Sequence, residues 1–394
     1  MTTQNRIIRT GLLFFIGFAS SFNCTAQKLT VTNDLNFPRT EVVSIPSPNL
    51  QRLLLQYSAK NIRIRKEGST TYTTLQWIDN NQDGISDELI FLADVAANGI
   101  TNYLVLSDTV PLPKIPETET QTYSRFVPER TDDYTWENDR VAFRVYGPKG
   151  QQEALKGIAG STLSSGVDLW LKRVPYPIIN KWYKKHLATP GYYHTDRGEG
   201  YDPYHVGNSR GTGGIGVWVK DSLQVSQNYN SYKTIATGPL RTVFQLTYAP
   251  WSDYALQQTS TVSLDLGSNF TRFDISFKGP RRTPNYTIGI SLHQNKGEAL
   301  LNKNRGWFRH WEAIDDSFIG EGIVIDPTSI TSAFTNISKT PDQSNLLIIT
   351  KPLNRLVYYA GFAWQKSGQI KSKEDWDTIL EKQSLIIRNP LKVR

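Results

Sequence analysis

The sequence contains one cysteine and one methionine, and both lie within its first 26 residues. It lacks a long apolar run: the longest, at residues 11–19, falls well short of the ~20 residues that a membrane-spanning helix needs. It also lacks a block of lysine and arginine like a nucleic-acid-binding arm, although it has 44 basic and 36 acidic residues. These absences argue against a disulfide scaffold, a membrane-spanning helix and a nucleic-acid-binding protein.

Residues 1–26 have the pattern of a secretory signal. Basic residues precede the apolar stretch, and residues 24–26 (Cys-Thr-Ala) show the small-x-small spacing of a cleavage site before Gln27. Cleavage there removes two positive charges, so the formal net charge falls from +8 to +6. We therefore expect an exported bacterial protein of the periplasm or cell surface, stabilised by burial without disulfides. A lipid anchor on Cys24 is a less favoured alternative, because residues 21–23 (Ser-Phe-Asn) lack the usual preceding pattern.

The first part of the mature chain, residues 27–110, consists of short β-branched or alternating segments separated by turns. This pattern predicts a small antiparallel β-domain. Its predicted strands are Lys28–Thr32, Glu41–Ile45, Ile62–Lys66, Thr71–Ile78, Glu88–Ala93 and Tyr103–Ser107. Residues 111–122 are proline-rich and polar, as an extended connector is, so we expect residues 123–394 to form a second, larger domain.

Residues 79–88 resemble a calcium-binding loop, in which Gly84 permits a sharp turn. Its potential oxygen ligands are Asp79, Asn81, Asp83 and Asp87. The flanking segments are predicted strands, and Ile90 occupies the position that an EF-hand fills with glutamate, so this is not an EF-hand. We expect a structural Ca²⁺ here, and the alternative is a hairpin turn that is rich in Asn, Asp and Gly.

Most segments after residue 123 alternate polar and apolar residues, as antiparallel strands with one solvated face do. The predicted strands are Ile215–Val219, Tyr232–Ala236, Leu240–Tyr248, Gln257–Asp265, Thr271–Lys278, Tyr286–Leu292, Ser344–Thr350, Asn354–Gly361 and Leu385–Arg388. Helices are predicted at Asn180–His186 and at Lys373–Lys382, which Ser372 caps. So many strands in one domain predict an all-β fold in which two large antiparallel sheets stack as a sandwich.

The segment Tyr192–Gly214 fits neither strand nor helix periodicity and is rich in glycine, tyrosine and charged residues. Long irregular segments in compact proteins are usually functional or disordered, and the aromatic content here argues against disorder. We interpret it as an ordered active-site loop, and the alternative is a structural Ω-loop held by its own aromatic packing. Its candidate acids and bases are His194, His205, Tyr193, Tyr201 and Tyr204.

Other charged residues have candidate roles near this loop. Arg140 and Arg144 share one face of a predicted strand, where two guanidinium groups can hold a carboxylate or sulfate. The alternative for them is a solvated face with ordinary ion pairs. Further candidates are Arg210 for anion binding, Asp196 and Glu199 for orienting a histidine, and His293 for proton transfer.

The sequence has no familiar catalytic signature in its required context. It has no phosphate-binding loop and no His-Glu-x-x-His. The spacings Gly-x-Ser-x-Gly (residues 207–211) and Gly-x-Gly-x-x-Gly (residues 211–216) do occur, but they lead into the predicted strand Ile215–Val219 and not into the helix that a nucleophile elbow or a dinucleotide fingerprint requires. The spacing of His194, Asp196 and His205 matches no familiar metal site. His186 and His310 are less suggestive, because aromatic or basic neighbours can pack against them. Proton transfer by histidine and tyrosine is the chemistry that remains, so we expect no required cofactor.

Four motifs resemble the signature of a secreted bacterial family long described as a domain of unknown function. They are Trp136–Arg144 (WENDRVAFR), Gly166–Arg173 (GVDLWLKR), Tyr193–Asp202 (YHTDRGEGYD) and Tyr359–Trp364 (YAGFAW) with Asp375-Trp376. The resemblance extends over essentially the whole mature chain. It implies a supersandwich of the mutarotase-like kind in a polysaccharide-utilisation cluster. The associated activity is an oligosaccharide dehydratase, described for ulvan fragments, that removes water from a non-reducing-end uronic acid to leave a 4,5-unsaturated uronate.

Water elimination beside a carboxylate needs a cation for the carboxylate, a base for the C5 proton and an acid for the departing 4-hydroxyl. We assign the carboxylate to Arg140 or Arg210. Proton transfer is assigned to His194, His205 and Tyr201, with His293 as a second candidate. The expected substrate contacts are Arg140, Arg144, Arg210, Lys172 and Trp170.

Two other functions remain open at this point. A non-catalytic glycan-binding protein of the cell surface would stack tryptophans on sugar rings and release the sugar unchanged. A polysaccharide lyase or glycoside hydrolase on the same scaffold would yield two fragments. In each case the mild positive charge favours an anionic oligosaccharide as partner, through electrostatic steering.

Overall fold

The computed structural model describes residues 26–109, 116, 119–340 and 342–394. The predicted signal, apart from Ala26, and much of the predicted connector lie outside these residues. None of the described helices is long and apolar enough to cross a membrane. Short 3-10 turns occur at Ser47–Leu50, Ala59–Asn61, Pro128–Arg130, Tyr192–His194, Pro327–Ser329 and Gln365–Ser367.

The first strands form a small antiparallel β-unit, as predicted. Its elements are β1 (Gln27–Thr32), β2 (Arg39–Pro46), α1 (Gln51–Leu54), β3 (Ile62–Lys66), β4 (Leu75–Ile78), β5 (Glu88–Val95) and β6 (Ile100–Ser107). One sheet has the order β2-β5-β4. In the other, β6 lies between β1 and β3, and the far side of β1 pairs with a strand from the other end of the chain, β25 (Lys392–Val393). The last strand thus completes the first sheet.

The larger part of the chain begins with a five-stranded antiparallel sheet of order β11-β10-β9-β8-β7. Its elements are β7 (Tyr123–Val127), β8 (Asp133–Glu137), β9 (Ala142–Val145), α2 (Pro148–Leu155), β10 (Asp168–Lys172), α3 (Ile179–Ala188) and β11 (Gly200–Tyr201). The predicted helix Asn180–His186 is α3. The segment Tyr192–Gly214, which we call the central segment, supplies β11. Gly200 is required there because a Cβ at this position would lie 1.9 Å from the Leu171 carbonyl oxygen.

Two further sheets complete the sandwich. Their strands are β12 (Thr212–Val219), β13 (Ser222–Gln224), β14 (Ser231–Ala236), β15 (Arg241–Thr247), β16 (Gln257–Asp265), β17 (Phe270–Lys278), β18 (Tyr286–Ser291), β19 (Glu298–Asn302), β20 (Trp307–Ile314), β21 (Ser317–Ile325), β22 (Ile330–Asn336), β23 (Asn345–Thr350) and β24 (Arg355–Trp364). A five-stranded sheet has the order β13-β12-β18-β23-β22, and an eight-stranded sheet has the order β14-β15-β16-β17-β24-β21-β20-β19.

The eight-stranded sheet carries apolar side chains on both of its faces. Along β24, Tyr358 and Phe362 point into the central core, which both five-stranded sheets share, while Ala363 lies in a cluster on the opposite face. Successive side chains of a strand point to opposite faces, so a strand covered on both sides is apolar throughout. The prediction of an all-β fold with a large antiparallel β-sandwich and few helices is confirmed.

The opposite face of β20, β21 and β24 is covered by α4 (Lys373–Arg388). Ser372 caps this helix in a capping box with Asp375, as the sequence predicts for its beginning. The prediction of a strand at Leu385–Arg388 is wrong, because these residues form the last turn of α4. Its apolar stripe continues to the buried Ser384, and packing on the sheet outweighs the strand preference of the isoleucines that follow.

Two glycines of β21 allow α4 to approach the sheet. A Cβ at Gly320 would lie 2.5 Å from the Trp376 ring, and one at Gly322 would lie 2.4 Å from a methyl group of Leu380. We expect Gly320→Ala to lower the free energy of unfolding by about 1–3 kcal/mol, because Trp376 must move. Urea unfolding measures this, with Ser332→Ala on an exposed strand face as the control. A loss as small as the control's would contradict this account of the interface.

The predicted calcium loop is an exposed turn between β4 and β5. Asp79 accepts hydrogen bonds from the backbone N–H groups of Gln82 (2.6 Å) and Gly84 (2.8 Å), and Asp87 accepts one from Asn80 (2.7 Å). Asn81 and Asp83 accept bonds from the N–H groups two residues later. These oxygens therefore shape the turn themselves, as the hairpin alternative describes, and the hypothesis of a structural Ca²⁺ stays a prediction.

Candidate functional site

A cavity of about 610 Å³ lies at one end of the sandwich, where three turns meet. The chain after β11 contributes residues 203–205, the turn after β18 contributes His293 and Lys296, and the β20–β21 hairpin contributes residues 312–315. Asp342 closes the remaining side. The volume lies within the ~300–1,000 Å³ typical of small-molecule sites.

His293 is held at the cavity wall in an unusual backbone conformation. Its φ of 43° lies in the left-handed region, which non-glycine residues occupy at a cost of roughly 1–3 kcal/mol and which is common at functional sites. Its Nδ1 lies 2.7 Å from Glu312 Oε1, and its Nε2 lies 2.8 Å from the carbonyl oxygen of His205. Both acceptors favour an imidazolium that donates from each nitrogen.

Burial lowers the pKa of His293, but the hydrogen bond and charge of Glu312 outweigh it and raise this pKa from 6.5 to about 9. A raised folded-state pKa stabilises the fold fully below pH 6.5, and this contribution is lost as the pH rises through 9. We expect His293→Asn to lower the free energy of unfolding by about 2 kcal/mol more at pH 6 than at pH 10. Chemical denaturation at both pH values tests this, with Glu312→Gln expected to show the same dependence. An equal loss at both pH values would contradict it.

His205 is the exposed imidazole of the cavity. Its Nε2 lies 3.2 Å from the Asp342 carboxylate, which fixes the ring across the opening. Gly207, at φ 49°, is required beside them, because a Cβ there would lie 2.0 Å from Asp342 Oδ2. The side chain itself is 69 % exposed, so His205 can exchange protons with solvent or with a ligand.

A buried network lies beneath the cavity and is centred on Glu321. Its carboxylate accepts hydrogen bonds from the Tyr204 hydroxyl, from Thr212 Oγ1 (2.6 Å) and from His310 Nδ1 (2.7 Å). Burial raises the pKa of Glu321, but the hydrogen bond and charge of His310 and the charge of His293 lower it below the ordinary value. Burial and Glu321 raise the pKa of Tyr204 well above its ordinary value, so this hydroxyl stays protonated.

The same network includes a group of potential metal ligands. In the described residues, His310, Glu312 and Glu321 have ligand atoms within 4.8 Å of one another. Each carboxylate of the group already accepts a hydrogen bond from a histidine, because Glu312 pairs with His293 and Glu321 with His310. The group therefore takes part in two histidine–carboxylate pairs, and the buried Nε2 of His310 has no hydrogen-bond partner.

Tyr201 approaches the cavity from the other side. Its hydroxyl donates to Asp315 Oδ2 at 2.5 Å, and Asp315 lines the cavity. Burial and then this carboxylate raise the pKa of Tyr201, so it holds its proton at neutral pH. The cavity thus combines an imidazolium at His293 with an exposed imidazole at His205, and its wall residue Asp315 accepts a hydrogen bond from the protonated phenol of Tyr201 behind it. This set suits proton transfer.

Comparison with protein families gives one match across the chain. Residues 31–393 match the model of a domain of unknown function, DUF4861. The chain belongs to this family. It is also 40% identical over 393 residues to "Uncharacterized protein P7" of Formosa agariphila, covering 97% of this chain and 98% of that one. The predicted membership of a family described as a domain of unknown function is therefore confirmed.

Among solved structures, this DUF4861 protein resembles a protein in glycosyl hydrolase family 38 from Enterococcus faecalis. The TM-score is 0.50 with 8% sequence identity, over 94% of this chain and 47% of the other. The chain therefore spans about half the length of that protein. At this identity the likeness concerns the fold alone.

The remaining loop residues predicted for the site of this DUF4861 protein do not line the cavity. His194 lies beside the Asp202 backbone, with its Nδ1 2.8 Å from the carbonyl oxygen. Asp196 pairs with Arg173 at 2.7 Å, and Glu199 accepts hydrogen bonds at 2.6 Å from both Tyr176 and Lys181. Neither carboxylate orients a histidine, because Asp196 holds the loop against Arg173, which follows β10, and Glu199 holds it against α3.

Four of the five predicted substrate contacts are buried. Their exposed fractions are 4 % or less, for Arg144, Lys172, Arg210 and Trp170. Lys172 donates to Glu137 at 2.7 Å and to two backbone carbonyls, while Trp170 stacks between Trp182 and Tyr193. Arg210 donates to Ser165 at 2.9 Å inside the sandwich. These side chains serve the protein's own interior and leave no surface for a substrate.

The cavity also contains residues that sequence reasoning missed. They are Glu312, Asp315, Asp342 and Lys296, with Glu321 beneath them. Most lie on or near the β20–β21 hairpin, within a stretch in which no strand is predicted between residues 293 and 343. The strand-favouring aromatic residues of β20, Trp307, Phe308 and Trp311, were the signal available for it.

Proposed function

We propose that this protein is a carbohydrate-active enzyme that eliminates water from a non-reducing-end uronic acid, leaving a 4,5-unsaturated uronate. The observation that carries the proposal is the convergence of His205, His293 and the Tyr201–Asp315 pair on one cavity of about 610 Å³. A pyranose ring with its carboxylate fits this volume, and the polar groups are spread around it as an elimination requires.

The cations of the cavity suit the uronate carboxylate. His293 carries a positive charge at neutral pH, and Lys296 is exposed at the rim without an ion-pair partner among the described residues. Neutralising the carboxylate makes the adjacent C5 proton more acidic, because negative charge that develops during its removal spreads onto the carboxylate. Lys296 takes the role that the sequence assigned to Arg140 or Arg210. His293 contributes its charge alone, because Glu312 and the His205 carbonyl hold both of its N–H groups.

The proton transfers fall to His205 and Tyr201. His205, oriented by Asp342, accepts the C5 proton, and the C5–H electron pair forms the C4–C5 double bond. The Tyr201 hydroxyl turns from Asp315, its acceptor in the free protein, to the 4-hydroxyl and donates its proton there. The C4–O bond then breaks, and the oxygen leaves as water with the electron pair of that bond. Solvent then returns a proton to Tyr201 and removes one from His205, which its exposure permits.

Three further observations support a carbohydrate substrate outside the cytoplasm. The fold resembles a protein of a glycosyl hydrolase family. The aromatic content is high, with 10 tryptophans and 19 tyrosines. Residues 1–26 have the pattern of an export signal. The anionic specificity, the export and the ulvan-type substrate are parts of this proposal.

Incubation with uronate-ended oligosaccharides tests the function. We expect a product lighter by the mass of one water, with ultraviolet absorbance from the unsaturated uronate. Release of two fragments would instead indicate a lyase or hydrolase. Binding without any change in mass would indicate a glycan-binding protein, and either result would overturn the proposal.

A further inference from the structure

A second cavity, of about 580 Å³, lies where the small β-unit, the eight-stranded sheet and α4 meet, and we call it the junction cavity. Arg39 of β2, the turn between β16 and β17, and Lys382 of α4 each form part of its wall. It shares no described lining residue with the cavity at His293. Three parts of the fold that are distant in sequence thus build a separate hollow.

The junction cavity has an excess of positive charge. Five basic and two acidic side chains line it, an excess of three positive charges, and they are Arg39, Arg140, Arg241, Arg272, Lys382, Glu41 and Asp265. Both acids are already paired, Glu41 with Arg39 (2.6 and 2.8 Å) and Asp265 with Arg241 (2.5 and 2.8 Å). Arg272 pairs with Asp274, which lies outside the cavity wall, at 2.7 Å. The charges of Arg140 and Lys382 are therefore the ones that no close ion pair balances.

Arg140 has hydrogen-bonding capacity to spare. Its Nη1 donates to Asn269 at 3.2 Å, whereas its buried Nε has no hydrogen-bond partner, and the Asp139 carboxylate lies 4.0 Å away. The side chain is 42 % exposed, so a ligand can reach the guanidinium. A planar guanidinium with free N–H groups is well suited to a carboxylate or a sulfate ester.

The remaining walls suit a sugar ring. Phe37, Phe270 and Tyr359 line the cavity, and Lys382 Nζ lies 5.5 Å from the centre of the Phe37 ring. In the described residues Lys382 has no ion-pair partner. Aromatic faces pack against the C–H faces of pyranoses, while lysine and arginine bind their acidic substituents. Aromatic rings and the cations Arg140 and Lys382 occur together here.

We propose that the junction cavity is a second, non-catalytic binding site for an acidic sugar unit, one that carries a carboxylate or a sulfate ester. The substrate class rests on the proposed function, but the site itself does not, because it uses none of the residues assigned to elimination. It would hold a polyanionic chain at a distance from the reacting end, which raises the local concentration of chain ends by avidity.

Titration calorimetry at low and high salt tests the site with three trisaccharides: trigalacturonate, sulfated maltotriose and maltotriose. For the acidic trisaccharides we expect two sites on the wild-type protein. Arg140→Gln and Lys382→Gln should each weaken one of them tenfold or more. Arg52→Gln, on the exposed surface of α1, should bind as the wild type does. Binding should weaken with salt, and maltotriose should bind at least tenfold more weakly.

The outcomes separate this proposal from the catalytic one. Loss of a site in Arg140→Gln and Lys382→Gln supports the junction cavity even if no trisaccharide loses water. Wild-type binding in both variants overturns it, whatever the turnover. The proposal is also overturned if His205→Asn removes all binding of the acidic trisaccharides while Arg140→Gln and Lys382→Gln keep it. If Arg140→Gln unfolds, Lys382→Gln alone decides, because Lys382 forms no ion pair in the described residues.

Discussion

Replacing His205 with asparagine should lower kcat for water elimination by about 10²–10⁴-fold while KM changes little, because the base that takes the C5 proton is lost. Its side chain is 69 % exposed and contacts the protein mainly through Asp342, so the variant should fold normally. Initial rates from the absorbance of the unsaturated product measure the effect. Thermal unfolding of the same preparation checks the fold.

His186→Asn is the matched control for this measurement. His186 stacks on Tyr193 and accepts a hydrogen bond from Gly191, away from the cavity. The His186→Asn variant should keep the wild-type rate of water elimination. A large loss of rate in His194→Asn with none in His205→Asn would contradict the assignment of the base, and would move the reaction to the other end of the central segment.

Arg144→Met should lower the free energy of unfolding by about 3–5 kcal/mol, the largest stability change that we expect. The guanidinium is buried, and it donates to Asp168 Oδ2 at 2.7 Å and to Asp202 Oδ2 at 2.9 Å, with Asp133 at 3.9 Å. Removing it leaves three buried carboxylates without the cation at their centre. Urea unfolding at pH 8 measures the loss.

A lower pH should reduce the loss of unfolding free energy in Arg144→Met. Burial raises the pKa of Asp133 to about 6 and raises that of Asp202 well above its ordinary value, so both carboxyls are harder to ionise in the folded protein than in the unfolded chain. A carboxyl whose pKa is raised in the folded state destabilises the fold as the pH rises, because its ionisation is easier in the unfolded chain. Removing Arg144 increases this destabilisation. The loss of unfolding free energy in Arg144→Met should therefore be smaller at pH 5 than at pH 8. Arg52→Met is the exposed control. A loss below 1 kcal/mol in Arg144→Met would contradict the account.

Much of the fold could be predicted because neighbouring residues in the sequence determine where many of its strands and helices begin and end. Alternation along Gln257–Asp265 gives β16 with the observed bounds, and Ser372 marks the beginning of α4. The end of α4 could not be predicted in this way. Ile386 and Ile387 favour a strand by themselves, and only their continuation of the stripe begun by Trp376 and Leu380, which packs on β21, keeps them helical.

The site was less predictable, because its parts meet only in three dimensions. Composition and irregularity singled out the central segment, and His205 and His293 do share one cavity. Their partners Glu312 and Asp342 lie far away in sequence, and nothing local distinguishes them from surface carboxylates. Arg144 shows the converse error, because a strand face with two arginines looks like an anion site until its own aspartates are seen to fill it.

The pairing of β25 with β1 affects the order in which the chain can fold. Val393 lies opposite Val31, so the first sheet keeps an open edge until residues 392–393 have been synthesised. An unpaired edge invites pairing with other chains. A nascent polypeptide stalled before this point would expose the edge of β1 to neighbouring molecules, which favours aggregation.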